Sequence, residues 1–92
     1  MKLLWSENAW EDYLYWQQSD HQILRRINAL LEDIRRRPFK GIGKPEPLRG
    51  DLTGWWSRRI AGDHRIVYRA RGTGEEQRIE IVAWRYHYSS RR

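Results

Sequence analysis

The strongest constraint on the fold is a segment between Ser19 and Pro38 that carries a single apolar stripe. Its apolar side chains recur at the spacing of one helical face, namely Ile23, Leu24, Ile27, Leu30, Leu31 and Ile34. Ser19 to Gln22 form a capping-box pattern at the start, and Pro38 stops the helix near Arg36. Because such a helix must bury its apolar face against another layer, the segment predicts a two-layer domain.

A shorter amphipathic helix is predicted ahead of this segment, over residues 7–17. Ser6 is its expected N-cap, and Lys2 to Trp5 can form a short strand before the cap. Two helices joined by a short turn form an antiparallel hairpin with one apolar face to bury. We expect three tryptophans in the core of the domain: Trp10, Trp16 and Trp84.

The apolar pattern changes to period two after residue 55, which is typical of β-strands. Strands are predicted over residues 56–60, 64–71 and 78–86, and they form an antiparallel meander because their connections are too short for crossovers. The helical hairpin should cover one face of this sheet and leave an open face lined partly by arginines. The chain is therefore predicted to be one α+β domain, residues 1–92, with two N-terminal helices packed on an antiparallel β-sheet.

Residues 38–54, between the helices and the strands, hold all three prolines and four of the seven glycines. A connection of this length inside a small domain is usually either functional or disordered. We predict an ordered loop, because four apolar residues can anchor it to the domain: Phe39, Ile42, Leu48 and Leu52. Trp55 and Trp56, which follow the loop, are expected in the core or at an interface.

Charge is distributed unevenly along the chain. Residues 1–33 hold three Lys or Arg against six Asp or Glu, whereas residues 34–92 hold fifteen against six, and the whole chain has a net charge of +6. Most of the basic residues are arginine, which binds phosphate with two parallel hydrogen bonds and stacks on bases. This pattern favours a nucleic-acid partner over an acidic protein partner or a merely solvated surface.

Several classes of function are excluded by what the sequence lacks. There is no cysteine, and therefore no disulfide or thiolate metal site. The three histidines have no metal-ligand spacing, and no phosphate-binding glycine loop or serine nucleophile motif is present. No apolar stretch approaches the ~20 residues that span a membrane. We expect a cytoplasmic protein that uses no metal or cofactor and binds no membrane.

The remaining polar residues can carry metal-free cleavage of RNA. This reaction needs a base for the 2′-hydroxyl, an acid for the leaving 5′-oxygen and positive charge at the phosphate. Glu46 is a stiffly held carboxylate in the proline-flanked sequence KPEPL, close to Lys44 and Arg49. His87 suits the acid, because an unperturbed imidazole titrates near pH ~6.5. Arg59 and Arg65 lie on neighbouring predicted strands, on either side of a tight turn.

Each of these residues also has an ordinary interpretation. Taken alone, Glu46 is more typical of a loop carboxylate paired with Lys44, and His87 of a surface histidine at a strand end. The two arginines are consistent with solvated strand residues. Tyr86 and Tyr88, on either side of the histidine, can stack on a base or orient a phosphate. Taken singly, none of these residues establishes an enzyme.

Four segments, read in order, resemble one family: WSENAWEDYLYWQ, RRRPFKGIGKPEPL, GWWSRRIAGDHRIVY and RYHY. On these motifs the chain is identified as a member of the YoeB/Txe family of bacterial toxins, within the RelE superfamily. The resemblance runs from Met1 to Tyr88, nearly the whole chain. It implies a fold similar to that of the microbial ribonucleases, with two N-terminal helices against an antiparallel sheet.

The resemblance also implies an activity and partners. Toxins of this kind enter the A site of the 70S ribosome and cut mRNA there without a metal, which stops translation. The family partner is a YefM-type antitoxin, whose acidic and partly disordered C-terminal segment folds over the toxin. Such toxins also tend to form homodimers. The arginine-rich half of this chain suits mRNA, rRNA and an acidic inhibitor alike.

Positions within the matching motifs imply a role for each candidate residue. Glu46 corresponds to the general base, His87 to the general acid, and Arg65 to the group that stabilises the phosphate. The remaining candidates are assigned to RNA and phosphate binding: Arg59, Tyr88, Arg49 and Lys44. The cleavage would leave a 2′,3′-cyclic phosphate or a 3′-phosphate on one product and a 5′-hydroxyl on the other.

Two further hypotheses stay open at this point. A ParE-like toxin of the same superfamily would block a protein target without cutting RNA, although such relatives lack the acid/base pair of Glu46 and His87. A non-catalytic nucleic-acid-binding module would keep its function when His87 is replaced by Gln. The chain also departs from the family in a longer loop, Arg71 to Gln77, which we expect to be a surface extension, and in a tail, Ser89 to Arg92, without an assigned role.

Overall fold

A computed structural model describes residues 1–83 of the chain. The helices and strands are, in order, β1 (Lys2–Trp5), α1 (Glu7–Ser19), α2 (His21–Arg36), β2 (Glu46–Pro47), β3 (Trp56–Ala61), β4 (His64–Arg71) and β5 (Arg78–Ala83). Two short 3-10 turns lie in the connections, Gly50–Leu52 and Gly74–Glu76. The predictions made for Trp84, His87, Tyr88 and the tail Ser89 to Arg92 fall outside the described residues.

α1 begins at its predicted cap, whereas α2 is capped by Asp20, one residue after the Ser19 of the predicted capping box. The Ser6 hydroxyl accepts a hydrogen bond from the backbone N–H of Ala9 at 3.0 Å, and the Asp20 carboxylate accepts from two N–H groups in the first turn of α2. α1 continues two residues beyond its predicted end, because Asp20 both ends α1 and caps α2. α2 ends at Arg36, two residues before Pro38, as predicted. Within residues 1–83, neither helix is long and apolar enough to cross a membrane.

The sheet has five strands in the order β1-β5-β4-β3-β2. β3 to β5 pair antiparallel, which confirms the predicted meander. β2 lies inside the predicted irregular loop and adds a further antiparallel strand. β1 pairs with β5 in parallel, from Lys2 opposite Arg78 to Trp5 opposite Ile81, so the complete sheet is mixed. A parallel pair needs a long connection between its strands, and all the elements between β1 and β5 supply it. The predicted antiparallel sheet is therefore extended by one parallel edge strand.

The main core lies between the two helices and one face of the sheet. Its fully buried members from α2 and the strands are Ile27, Leu30, Ile34, Ile66, Tyr68, Ile79 and Ile81. Trp16 is buried as predicted, but the prediction for Trp10 is wrong, since 47% of its surface is exposed. Ala9 occupies the buried position of that turn, and Trp10, one residue further round the helix, stacks on Tyr13 at the surface.

A smaller apolar cluster lies on the opposite face of the sheet. Its buried members and the side chains packed on them are Leu48, Val67, Leu52, Trp55 and Val82. The loop over residues 38–54 thus packs on the sheet through two of its four predicted anchors. The other two, Phe39 and Ile42, are 55% and 40% exposed, so burial does not anchor their part of the loop. Trp55 and Trp56 are half-buried, one against each core, as expected.

Candidate functional site

The face of the sheet that points away from the helices carries the charged candidates. Side chains alternate along a strand, so the buried Arg58 and its partner Ile66 face the helices. Arg59 and Arg65, one position along on each strand, therefore face the open side. They stand directly opposite each other in the β3–β4 pair, which confirms their predicted placement on neighbouring strands.

No described residue forms an ion pair with either arginine of this pair. Like charges directly opposite each other in an antiparallel pair destabilise the sheet. The Nε of Arg65 is buried and has no hydrogen-bond partner within residues 1–83, and Arg59 is exposed. A buried N–H donor without an acceptor carries the cost of its lost hydration. An anion placed over this pair would relieve both penalties.

Glu46 lies beside the arginine pair on the same face. It pairs with Ser57 across β2 and β3, and Ser57 precedes Arg59 by two residues, or roughly 7 Å along the strand. The Glu46 side chain is exposed and forms no ion pair with any described residue, Lys44 included. A cleft of about 460 Å³ opens at this edge, lined by Glu46, Pro47, Leu48 and Arg49.

The backbone around Glu46 is fixed by its hydrogen bonds to β3. The carbonyl of Gly43 accepts from the N–H of Arg59 at 2.7 Å, and the N–H of Leu48 donates to the carbonyl of Trp55 at 2.8 Å. Lys44 has a φ of 53°, a left-handed conformation that a residue with a side chain adopts at a cost of about 1 kcal/mol or more. The segment that presents the carboxylate is therefore held in one shape at both of its ends.

On the helix-facing side of the sheet, Arg58 forms hydrogen bonds that connect the loop before Glu46 to α2. Its side chain is fully buried. Its Nε donates to the hydroxyl of Tyr68 at 3.1 Å, and its Nη1 donates to Oδ2 of Asp33 at 2.5 Å. The remaining guanidinium hydrogens are donated to backbone carbonyls of the loop, those of Arg37, Lys40 and Ile42. All the donors of a buried guanidinium are thus satisfied, as burial of a charge requires.

Sequence reasoning missed Arg58 and Asp33. The signal for Arg58 is its phase in β3, because it lies between Trp56 and Ile60 on the apolar side of the alternation. The partner Asp33 lies on the buried side of α2, next to Ile34. A charged residue in an apolar phase indicates a buried ion pair, and two such residues on separate elements are candidates to pair.

The titration of the buried groups reflects these contacts. The hydrogen bond from Arg37, with further bonds from Arg58 and the N–H of Ile42, lowers the pKa of Asp33 to about 2 against the opposing effect of burial. Burial raises the pKa of the Tyr68 hydroxyl. Asp33 is therefore ionised and Tyr68 neutral throughout the physiological range, so the charge of Arg58 is always balanced.

Four of the seven predicted site residues are brought together by the fold: Glu46, Arg49, Arg59 and Arg65. Lys44 is exposed just before β2. His87 and Tyr88 lie outside the described residues. A carboxylate beside two arginines that could hold a phosphate is placed to accept a proton from a neighbouring hydroxyl, which is the chemistry of a general base.

Residues 5–88 match the family described as the YoeB-like toxin of bacterial type II toxin–antitoxin systems. The chain belongs to this family. Toxin YoeB of Escherichia coli K12 is 53% identical over 88 residues, which are 96% of this chain and all of that protein. The predicted family membership is thereby confirmed.

Solved structures of YoeB proteins share the fold. A YoeB/ParE toxin from Agrobacterium tumefaciens superposes with a TM-score of 0.91 at 50% identity, over 96% of this chain and all of the other. A YoeB dimer and a heterotetrameric YoeB–YefM toxin–antitoxin complex, both from Staphylococcus aureus, give TM-scores of 0.81 and 0.84 at 44% and 43% identity. Each covers 96% of this chain and 98% of its own. The predicted α+β fold is therefore confirmed.

Proposed function

We propose that this YoeB-family toxin is a metal-independent endoribonuclease that cuts mRNA in the ribosomal A site and so inhibits translation. The observation that carries the proposal is the exposed carboxylate of Glu46, free of ion pairs with described residues, beside the Arg59–Arg65 pair. A structural carboxylate this close to two arginines would be expected to pair with them. A carboxylate left free on an anion-binding face is suited to proton transfer.

In this mechanism Glu46 removes the proton from the ribose 2′-hydroxyl. The 2′-oxygen attacks the adjacent phosphorus, and the bond from phosphorus to the 5′-oxygen breaks. Arg65, with Arg59 beside it, stabilises the extra negative charge of the phosphorane, a role for which guanidinium groups are suited. His87 donates a proton to the leaving 5′-oxygen. The products are a 2′,3′-cyclic phosphate and a 5′-hydroxyl.

The chain length is compatible with the role of His87. Ala83, the last described residue, pairs with Val67, two residues along β4 from Arg65. His87 follows Ala83 by four residues, which span at most roughly 14 Å when extended. That reach covers the distance of about 7 Å between Val67 and Arg65 along the strand.

The other predicted residues are assigned to holding the RNA. Arg49 lines the cleft next to Glu46, and Lys44 is exposed before it, so both can contact phosphates on one side of the cut. Tyr88 follows the proposed acid directly and can orient the phosphate or stack on a base. These contacts are charge-based, and RNA binding should weaken as salt is raised.

The proposed partners are a YefM-type antitoxin, the 70S ribosome with its mRNA and rRNA, and a second copy of the chain. The Staphylococcus aureus complex and dimer support the antitoxin and the homodimer. A net charge of +6 suits both RNA and an acidic antitoxin segment. The proposed action on ribosomes implies a cytoplasmic location.

Translation of a defined mRNA on purified ribosomes, with cuts mapped by primer extension, tests the proposal. We expect codon-positioned cuts with the natural chain and a loss of about 10²–10⁴-fold in rate for Glu46→Gln and His87→Gln. Glu75→Gln, which changes an exposed carboxylate in the β4–β5 loop, is the matched control and should cut normally. Absence of cuts by the natural chain, with growth arrest retained, would instead favour a ParE-like blocker.

A further inference from the structure

A second feature of the open face lies beyond the proposed catalytic residues. The guanidinium of Arg69 lies over the ring of Trp55, with its carbon 4.3 Å from the ring centroid. The Nε of Arg69 donates to Oε1 of Glu80 at 2.6 Å, and the Nε of Arg78 donates to Oε2 at 2.9 Å. Trp55 in turn packs on the cluster that contains Leu48. The Arg69 guanidinium is therefore held on one face by Trp55 and at one edge by Glu80.

This stacked pair borders a groove of about 310 Å³. The side chains that shape the groove on the open face are Leu4, Trp55, Arg69, Glu80 and Val82. Leu4 stands opposite Glu80 in the β1–β5 pair, so it forms the far wall. Arg69 follows Arg65 by four residues on the same strand and the same face, which is roughly 13 Å. The groove therefore lies on the same face of the sheet as the proposed cleavage site.

We propose that this groove is a nucleobase-binding subsite, in which a base of the RNA flanking the cut stacks on the Arg69 guanidinium. The proposal rests on the proposed endoribonuclease function, which brings RNA to this face. Arginine planes and aromatic rings are the surfaces on which unpaired RNA bases stack. The Arg69 side chain is 32% exposed, so the fixed plane remains accessible.

The carboxylate of Glu80 favours bases that carry an exocyclic amino group. Hydrogen bonds from Arg69 and Arg78 lower the pKa of Glu80, so the group is ionised and can only accept hydrogen bonds. A carboxylate has about four lone-pair sites, and the two Nε donors use two of them. Adenine, guanine and cytosine have an amino group to donate to the remaining sites, whereas uracil has none.

The same carboxylate argues against an acidic peptide as the occupant. Glu80 neutralises one of the two arginines and stands at the floor of the groove, where it would repel an aspartate or glutamate side chain. The Arg69–Glu80 and Arg78–Glu80 ion pairs are partly exposed, and such pairs contribute little to the free energy of unfolding. Stability alone therefore explains this cluster poorly. The flat stacking surface with an acceptor at its edge fits a base better than either alternative.

The test uses the full chain and a short single-stranded RNA with 2-aminopurine, an amino-bearing fluorescent base, next to a 2′-deoxy nucleotide that cannot be cut. Stacking of the base quenches its fluorescence. Arg69→Lys keeps the charge but loses the plane, and it should weaken binding about tenfold and remove the quenching. Arg71→Lys, on the same strand and face, is the matched control and should bind within twofold of the natural chain.

The outcomes separate this proposal from the catalytic one. Equal binding and quenching for Arg69→Lys and Arg71→Lys would overturn the subsite, even if the natural chain cuts mRNA on the ribosome. Arg69-dependent quenching in a protein that cuts no mRNA would support the subsite while the proposed endoribonuclease function fails. A loss by Arg69→Lys of affinity for an acidic antitoxin peptide, with RNA binding unchanged, would also overturn it. Equal thermal midpoints for the two variants exclude a folding effect.

Discussion

Replacing Asp33 by Asn tests whether the buried ion pair beneath the open face holds the domain together. Asp33 is 8% exposed, and its Oδ2 lies 2.5 Å from Nη1 of the fully buried Arg58. Removing one partner of a buried ion pair costs about 3–5 kcal/mol, because the other charge stays buried and unpaired. Domains are stable by roughly 5–15 kcal/mol in total. Asp33→Asn should therefore lose a large part of the free energy of unfolding.

The same carboxylate gives the prediction a pH dependence. The pKa of Asp33 falls from 3.8 to about 2 on folding, chiefly through the hydrogen bond from Arg37. A group whose pKa is lower in the folded state stabilises the fold above its unfolded pKa, and this stabilisation is lost as the pH falls toward the folded pKa. The shift corresponds to about 2 kcal/mol. The natural chain should lose this amount between pH 3.8 and about 2.

Urea unfolding followed by tryptophan fluorescence, at neutral pH and at a series of acidic pH values, measures both effects. Glu32→Gln is the matched control, because Glu32 neighbours Asp33 on α2 but pairs with Arg35 at the surface, where an ion pair contributes at most about 1 kcal/mol. The reasoning is refuted if Asp33→Asn costs no more than this control. It is also refuted if Asp33→Asn loses stability in acid as steeply as the natural chain.

Three further predictions follow from the packing and the site. Gly41→Ala should destabilise the domain by at least about 1 kcal/mol more than the control Gly54→Ala, as measured by thermal or urea unfolding. Both glycines have a positive φ, but a Cβ at position 41 would lie 1.9 Å from the Asp33 carboxylate, whereas a Cβ at position 54 would contact nothing. Ile27→Ala, at a fully buried position of α2, should cost about 2–5 kcal/mol in the same assay, and a cost below 1 kcal/mol would contradict the assigned core. Arg65→Lys should slow single-turnover cleavage of ribosome-bound mRNA by about 10²-fold without changing the stability of the domain, because lysine cannot bind the phosphorane with two parallel hydrogen bonds. An unchanged cleavage rate would show that Arg65 is not part of the mechanism.

The helices could be predicted from local signals. Ser6 and Asp20 cap helices through contacts within one turn, and Pro38 acts on the residues just before it, so no distant partner is needed. Trp10 shows the limit of this reasoning. Helical periodicity alone does not show which of two adjacent residues at the border of the apolar face is buried. Packing against the sheet buries Ala9 and leaves Trp10 exposed.

The site depends on longer-range contacts. Strand alternation places Arg59 and Arg65 on the same face once the turn between them is recognised, so local patterning predicts this pair. Glu46 joins them only because the β2–β3 pairing sets it opposite Ser57, and no periodicity in the loop indicates that register. The proposed role of Glu46 as a base rests on the family resemblance. Arg58 needs partners on α2 and on the loop, and such a set can be found only in the folded chain.

The pairing of the first strand with the last affects when the domain can fold during synthesis. β1 leaves the ribosome first, but its partner β5 is made more than seventy residues later. Contacts between such distant segments form slowly, because the intervening loop must close before they are gained. The five-stranded sheet that presents Glu46 and the arginine pair is therefore completed only after β5 has been made. The proposed attack on translating ribosomes would therefore require a chain in which β5 has already been made.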